Sequence, residues 1–239
     1  NERGSLTGIR VFDTAASDEY RSYFDGLLEQ AFKEGRDSYS IGTAHRKHRG
    51  VYEMATDPMV LDYVEDILGG NFVLWGTHFF CKMPGDGKTV SWHQDASYWP
   101  LTPSKVVTVW LAIDHVDADN GPMTFVPASH IHGQIPFDPS KPEEQNVLNQ
   151  AVHDYTRWGD EPVAVILKAG QVSLHTDLLL HGSEPNTSDR RRCGLTLRYH
   201  PPDVRRNDPN HASGIICRGS DPSGYWQHVE RPESDEVPQ

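Results

Sequence analysis

Apolar residues in the first seventy positions recur with a helical period. Tyr20, Tyr23, Phe24, Leu27, Leu28, Ala31 and Phe32 keep the i, i+3, i+4 spacing of one buried face. This predicts a helix over 18–34, capped by Ser17 and ended by Gly35. A second helix is predicted over 58–68, with Asp57 as cap, Pro58 in the first turn, Gly69 at the end, and Val60, Val64, Ile67 and Leu68 as its stripe. From residue 71 the period shortens. Strand-like runs at 72–82, 89–94, 106–114, 122–126, 163–167, 171–175, 193–200 and 214–217 are separated by Gly, Pro, Asp and Asn. Helices first and short strands afterwards leave little βαβ alternation. The expected fold is mainly β, a double-stranded β-helix (jelly roll) with N-terminal α-helices packed outside. We expect one domain over 1–239, with a helical part over about 1–70 and the jelly-roll core over about 71–225. Residues 133–161, polar and carrying Pro136, Pro139 and Pro142, are expected to form a long loop that acts as a lid. Residues 201–213 are expected to form a second loop, and 230–239 a charged, frayed tail.

Charge narrows the possible partners. With 22 basic and 34 acidic residues the net charge is −12, so nucleic acid is not an expected partner. The local cluster Arg190, Arg191, Arg192 and the pair Arg205, Arg206 are expected in solvated loops, with Arg192 the exception argued below. No apolar run approaches the roughly 18 residues of a membrane span. The polar start, Asn1-Glu2-Arg3-Gly4, gives no sign of a secretory leader, and the absence of an initiating Met leads us to expect native residues upstream. Three cysteines, Cys81, Cys193 and Cys217, fit reduced thiols in a cytoplasmic protein, with Cys81 and Cys193 as core residues.

The chemistry is concentrated in Ser91-Trp92-His93-Gln94-Asp95. Strand alternation aims His93 and Asp95 to one side, so an imidazole and a carboxylate face a common point. A third ligand must come from elsewhere. His175 ends a strand-like run and His181 follows it, in Leu180-His181-Gly182-Ser183. Two His and one carboxylate form the facial triad of non-haem iron(II) oxygenases, which leaves coordination positions open. Eleven residues after His181, Arg192 opens a strand, where its guanidinium can clamp a carboxylate through two parallel hydrogen bonds. The run Tyr98-Trp99-Pro100 is expected to wall a pocket, and His78 to alternate with Phe80 toward it. His130 and His132 are expected to be structural, and His45 and His48 to lie in a solvated loop.

These motifs, together with Trp110, Asn120-Gly121-Pro122-Met123, Val126-Pro127-Ala128-Ser129-His130, Asn186 and the closing Cys217-Arg218-Gly219-Ser220-Asp221, resemble the phytanoyl-CoA dioxygenase family over about residues 70–225. The resemblance implies iron(II) on His93, Asp95 and His181, and selects His181 over His175. It implies 2-oxoglutarate as co-substrate on Arg192, with Ser183, Trp110 and Lys82 lining its site, and O2 as oxidant. The reaction it implies is oxidation of an aliphatic C–H of a small-molecule substrate, CoA-linked or carrier-bound in some relatives, with release of succinate and CO2. Relatives that chlorinate lack the metal carboxylate, so Asp95 points to hydroxylation. Two other readings use the same residues: a zinc hydrolase, which does not require Arg192, and a non-catalytic jelly-roll binding protein.

Overall fold

The computed structural model describes residues 2–208 and 211–235. Its elements run in the order β1 (Ser5–Arg10), α1 (Thr14–Lys33), α2 (Arg49–Ala55), α3 (Pro58–Leu68), β2 (Phe72–Lys82), β3 (Val90–His93), β4 (Leu101–Thr102), β5 (Val107–Ala112), β6 (Met123–Phe125), β7 (Asp138–Pro139) and β8 (Gln150–Ala151). They continue with β9 (Val163–Ala164), β10 (Gln171–Thr176), β11 (His181–Ser183), β12 (Arg192–His200), β13 (Arg205–Arg206), β14 (Ser213–Arg218) and β15 (Gln227–His228). Helices precede strands, as the periodicity predicts. Seven strands form a major sheet in the order β1-β10-β5-β12-β2-β14-β15, and four form a minor sheet in the order β3-β11-β6-β9. Apart from the parallel β14–β15 contact, the pairs in both sheets are antiparallel. This is the expected jelly roll.

Strand alternation sorts the major sheet into two faces. Phe79 and Cys81 of β2, Val109 and Leu111 of β5, Leu174 of β10, and Cys193, Leu195, Leu197 and Tyr199 of β12 join the core that also holds Phe24, Val51, Met54, Val60 and Val64 of the helices. The alternate residues, Phe80, Trp110, His175, Arg192, Thr196 and Arg198, line a pocket with Met123, His181 and Ser183 of the minor sheet. Apolar burial on the helix side thus holds a polar set in place on the other side.

Several expectations are corrected. The cap of α1 is Asp13, whose carboxylate accepts from the Ala16 amide at 2.9 Å, because the helix starts a turn earlier than its apolar stripe. Ser17 lies inside that helix, buried, and donates to the Asp13 carbonyl. His45, expected in solvent, is buried, with Nδ1 3.0 Å from Thr77 Oγ1. Arg191 is likewise no solvated residue: its Nε and Nη2 meet the two carboxylate oxygens of Asp114 at 2.8 and 3.0 Å, and Nη1 meets Asp25. Arg205 and Arg206 pair with β4 as a short ladder. The described part of the tail is docked, since Asp235 accepts from Tyr23 and Arg231 pairs with Glu53; 236–239 lie outside the described residues. Residues 133–161 carry the β7–β8 hairpin and run beside β3, where Val152 N donates to Trp92 O at 2.8 Å. No described helix is long and apolar enough to cross a membrane.

Candidate active site

His93 closes β3, and His181 opens β11 directly opposite it in the antiparallel register. Their ring centroids are 4.1 Å apart. Asp95 belongs to a 3-10 turn rather than to the strand, but extended backbone at Gln94 (φ −110°, ψ 132°) carries the alternation one residue further, so Asp95 still shares the face of His93. One ligand atom from each of His93, Asp95 and His181 lies within 4.8 Å of the others, and all three residues are buried.

The histidines are oriented by the backbone. His93 Nδ1 lies 2.8 Å from Ser91 O, and His181 Nδ1 lies 2.9 Å from Leu179 O. Each Nδ1 therefore carries a proton, which leaves Nε2 as the ring atom available to a metal. Burial, with His93 beside it, holds the His181 imidazole well below its usual pKa, in the neutral form a ligand needs. Burial alone would raise the Asp95 carboxyl, yet His175, His93, His181 and Arg198 hold it well below the usual carboxylate range. Thr108 Oγ1 donates to its Oδ2 at 3.3 Å. Two imidazoles and one carboxylate, each steadied by its own partner, fit a divalent first-row metal such as iron(II).

His175 is near but differently engaged. Its Nε2 is 3.8 Å from Asp95 Oδ2, too far for a hydrogen bond, and neither ring nitrogen has a hydrogen-bond partner. It packs on Phe125 and His181.

At the other end of the pocket Arg192 is buried. Its Nε and Nη2 donate to the Gly121 carbonyl at 3.0 and 2.6 Å, and Nη2 lies 3.4 Å from Ser183 Oγ. Among the described residues it has no ion pair, and its guanidinium lies 5.7 Å from the centre of the Trp110 ring. Gly121 can aim its carbonyl this way because its φ is +73° and a Cβ would stand 2.7 Å from Glu184 O. Lys82 is placed behind this end and not in the pocket lining. Its Nζ donates to Ser183 O and Lys88 O, each at 3.2 Å, and to Glu184 O. Burial, with Arg192 next to it, lowers its ammonium pKa to about 7. Ser183 and Trp110 line the pocket with Arg192. His78 does not; it borders the adjoining cavity with Tyr39, Phe80, Tyr98 and Trp99. Burial, with Arg198 nearby, lowers its pKa to about 4, so it is neutral near pH 7.

Sequence reasoning passed over Arg198. The signal was there: it follows Arg192 by an even number of residues on one strand and so shares its face. Gln94, read only as part of a motif, is buried and bridges two segments of the site.

A buried facial triad between the two sheets of a jelly roll defines the architecture of mononuclear non-haem iron oxygenases. The phytanoyl-CoA dioxygenase (PhyH) family model matches residues 10–194, and the chain belongs to that family of Fe(II)/2-oxoglutarate-dependent oxygenases. It is 30% identical over 154 residues to bovine (Bos taurus) peroxisomal phytanoyl-CoA dioxygenase, covering 62% of this chain and 45% of that protein. It is also 30% identical over 167 residues to a probable alpha-ketoglutarate-dependent hypophosphite dioxygenase of Stutzerimonas stutzeri, covering 69% and 57%. The chain thus spans about half the length of the curated relatives it matches. Among solved structures, the non-haem monooxygenase ThoJ superposes with a TM-score of 0.83 at 26% identity over 98% of this chain and 87% of ThoJ.

Proposed function

We propose that this chain is an Fe(II)- and 2-oxoglutarate-dependent oxygenase that hydroxylates an aliphatic C–H of a small organic molecule, releasing succinate and CO2. The observation that carries this is the pairing, within one pocket, of the His93–Asp95–His181 cluster with Arg192. His93, Asp95 and His181 would hold the iron, and Arg192 would take the distal carboxylate of 2-oxoglutarate. When bound, iron supplies oxygen activation coupled to decarboxylation of the co-substrate.

The chain's own residues bind, orient and exclude water. Arg192 is a buried guanidinium whose hydrogen bonds reach only uncharged oxygens, so a carboxylate arriving beside it meets an uncompensated cation. Ser183 Oγ offers that carboxylate a hydroxyl, and the Trp110 indole supplies an apolar wall. Lys82 steadies the backbone of Ser183 and Glu184. Asp95 retains the carboxylate that occupies a ligand position, which favours hydroxylation over halide transfer. A hydrolase reading leaves Arg192 without a role. The test is succinate release by the iron-loaded protein with 2-oxoglutarate and oxygen. Release that needs both iron and 2-oxoglutarate supports the assignment, and none under any combination overturns it.

A further inference from the structure

Among the described residues, Arg198 is a half-buried cation with no acid paired to it. It lies on β12, inward like Arg192, and it borders both the triad pocket and the adjoining cavity of about 330 Å³. Its Nε is buried without a hydrogen-bond partner, and among the described residues the side chain makes no hydrogen bond or ion pair. Asp95 is the nearby acid, but its oxygens face His93, His175 and Thr108. The Asp95 carboxylate acts on the charge from beyond ion-pair distance, and the direct contact is the Trp99 ring, whose centre is 4.9 Å from the guanidinium carbon. A cation–π contact offsets only part of the cost of taking a guanidinium out of water. A half-buried guanidinium whose Nε is sequestered without a partner, at the wall of a cavity, is placed to meet an opposite charge.

The rest of the cavity says what kind of molecule carries it. Tyr39, Phe80, Tyr98, Trp99, Val147 and Leu148 give aromatic and apolar walls. His78 adds no charge of its own, since burial beside Arg198 keeps it neutral. His93 and Asp95 border the same space, so a molecule filling it lies against the metal-ligand cluster. The volume falls in the roughly 300–1,000 Å³ range of small-molecule sites.

We propose that this cavity is the site of the oxidised substrate, and that Arg198 is a specificity residue selecting a small molecule with a carboxylate on an apolar or aromatic body. The proposal rests on the oxygenase reading for what happens to the substrate, but not for whether it binds. Arg192 and Arg198 then divide the two acids of the reaction, the co-substrate's at one end of the pocket and the substrate's at the other.

Binding is tested without turnover. Ligand-observed NMR on the metal-free protein would compare 3-phenylpropanoate with its uncharged analogue 3-phenylpropanamide. The same titrations would be run on zinc-substituted protein saturated with N-oxalylglycine, which fills the co-substrate position. Expected is a carboxylate preference of at least tenfold in wild-type protein and in Arg192→Gln, persisting with N-oxalylglycine, and abolished in Arg198→Gln. Arg198→Lys should keep part of it. Unchanged amide binding to Arg198→Gln shows that the cavity is intact. Equal binding of the two probes to wild type, no carboxylate binding at millimolar concentration, or loss in Arg192→Gln instead of Arg198→Gln overturns the proposal. Succinate release without either probe reports on the oxygenase reading separately, so the two can fail independently.

Discussion

The side-chain amide of Gln94 donates to the backbone carbonyl of Leu178 at 2.6 Å, tying the segment that bears His93 and Asp95 to the one that leads into His181. The same amide donates to Gly133 O at 2.9 Å, and its oxygen accepts from Ile135 N at 2.7 Å. The residue between two of the proposed ligands thus helps set the position of the third. Loss of such a supporting contact costs about 10- to 100-fold in metal affinity. Gln94→Leu should weaken iron(II) binding by that factor in a chelator competition while leaving the far-UV spectrum unchanged. Wild-type affinity in the variant would show that β3–β11 pairing alone sets the geometry.

The ligand set is separable from its neighbour. His93→Ala and His181→Ala each remove one of three donors and should abolish stoichiometric iron(II) binding. His175→Ala should retain it, because its ring is 3.8 Å from Asp95 and points no nitrogen at a hydrogen-bond partner. Metal analysis after anaerobic loading decides. The reverse pattern would mean that His175 is the third ligand.

The co-substrate clamp predicts a contrast between adjacent arginines. Arg192 is buried with no acid partner, whereas Arg190 is exposed and pairs with Asp117 at 2.8 Å. Truncating one member of a buried charge pair costs about 2–5 kcal/mol, roughly 30-fold to several thousand-fold in affinity. Arg192→Gln should raise the 2-oxoglutarate concentration needed for half-maximal succinate release accordingly, and Arg190→Gln should leave it within a factor of about two. Equal effects would move the clamp elsewhere.

Close packing fixes one wall of the pocket. A Cβ on Gly194 would stand 1.9 Å from Trp110 Cζ2, so the indole lies flat on bare backbone across the β5–β12 ladder. Gly194→Ala must push the ring away, at about 1–3 kcal/mol of overpacking. The expected result is a lower thermal midpoint together with weaker 2-oxoglutarate binding. A fall in stability with unchanged binding would separate Trp110 from the co-substrate wall.

Acid should unfold the protein through buried neutral histidines remote from the triad. Burial lowers His45 to about 3 and His200 to about 4. The unfolded chain, with His near 6.5, binds more protons than the native state across that interval, so stability is fully present above about pH 6.5 and is lost as pH falls toward 4. His200 packs against Trp226 with ring centroids 4.2 Å apart and the planes tilted by 37°. His200→Phe keeps a ring there and cannot protonate. Unfolding free energies from urea titrations at pH 7 and pH 5 should therefore differ by about 1–2 kcal/mol less in the variant than in wild type. An identical acid limb would assign the loss to other groups.

What the chain by itself determined is its local periodicity and chemistry. Residues 192–200 alternate polar and apolar so regularly that the helix-facing core, Cys193, Leu195, Leu197 and Tyr199, can be read directly. His93 and Asp95 declare themselves because two residues of extended backbone bring side chains to one face. Other features needed tertiary structure, because they depend on pairings between distant segments. β1 has no apolar alternation and becomes a strand only by pairing with β10, more than 150 residues later. His45 is buried because Thr77 and the helical core close over it, and Arg191 is satisfied by Asp114 and Asp25 from two other elements. The choice of His181 over His175 was legible only through family spacing. In space, register sets His181 opposite His93 and leaves His175 on the neighbouring sheet. Arg198 shows the same division: its face is written in the period of β12, but its missing partner and the aromatic cavity beside it are properties of the packed molecule.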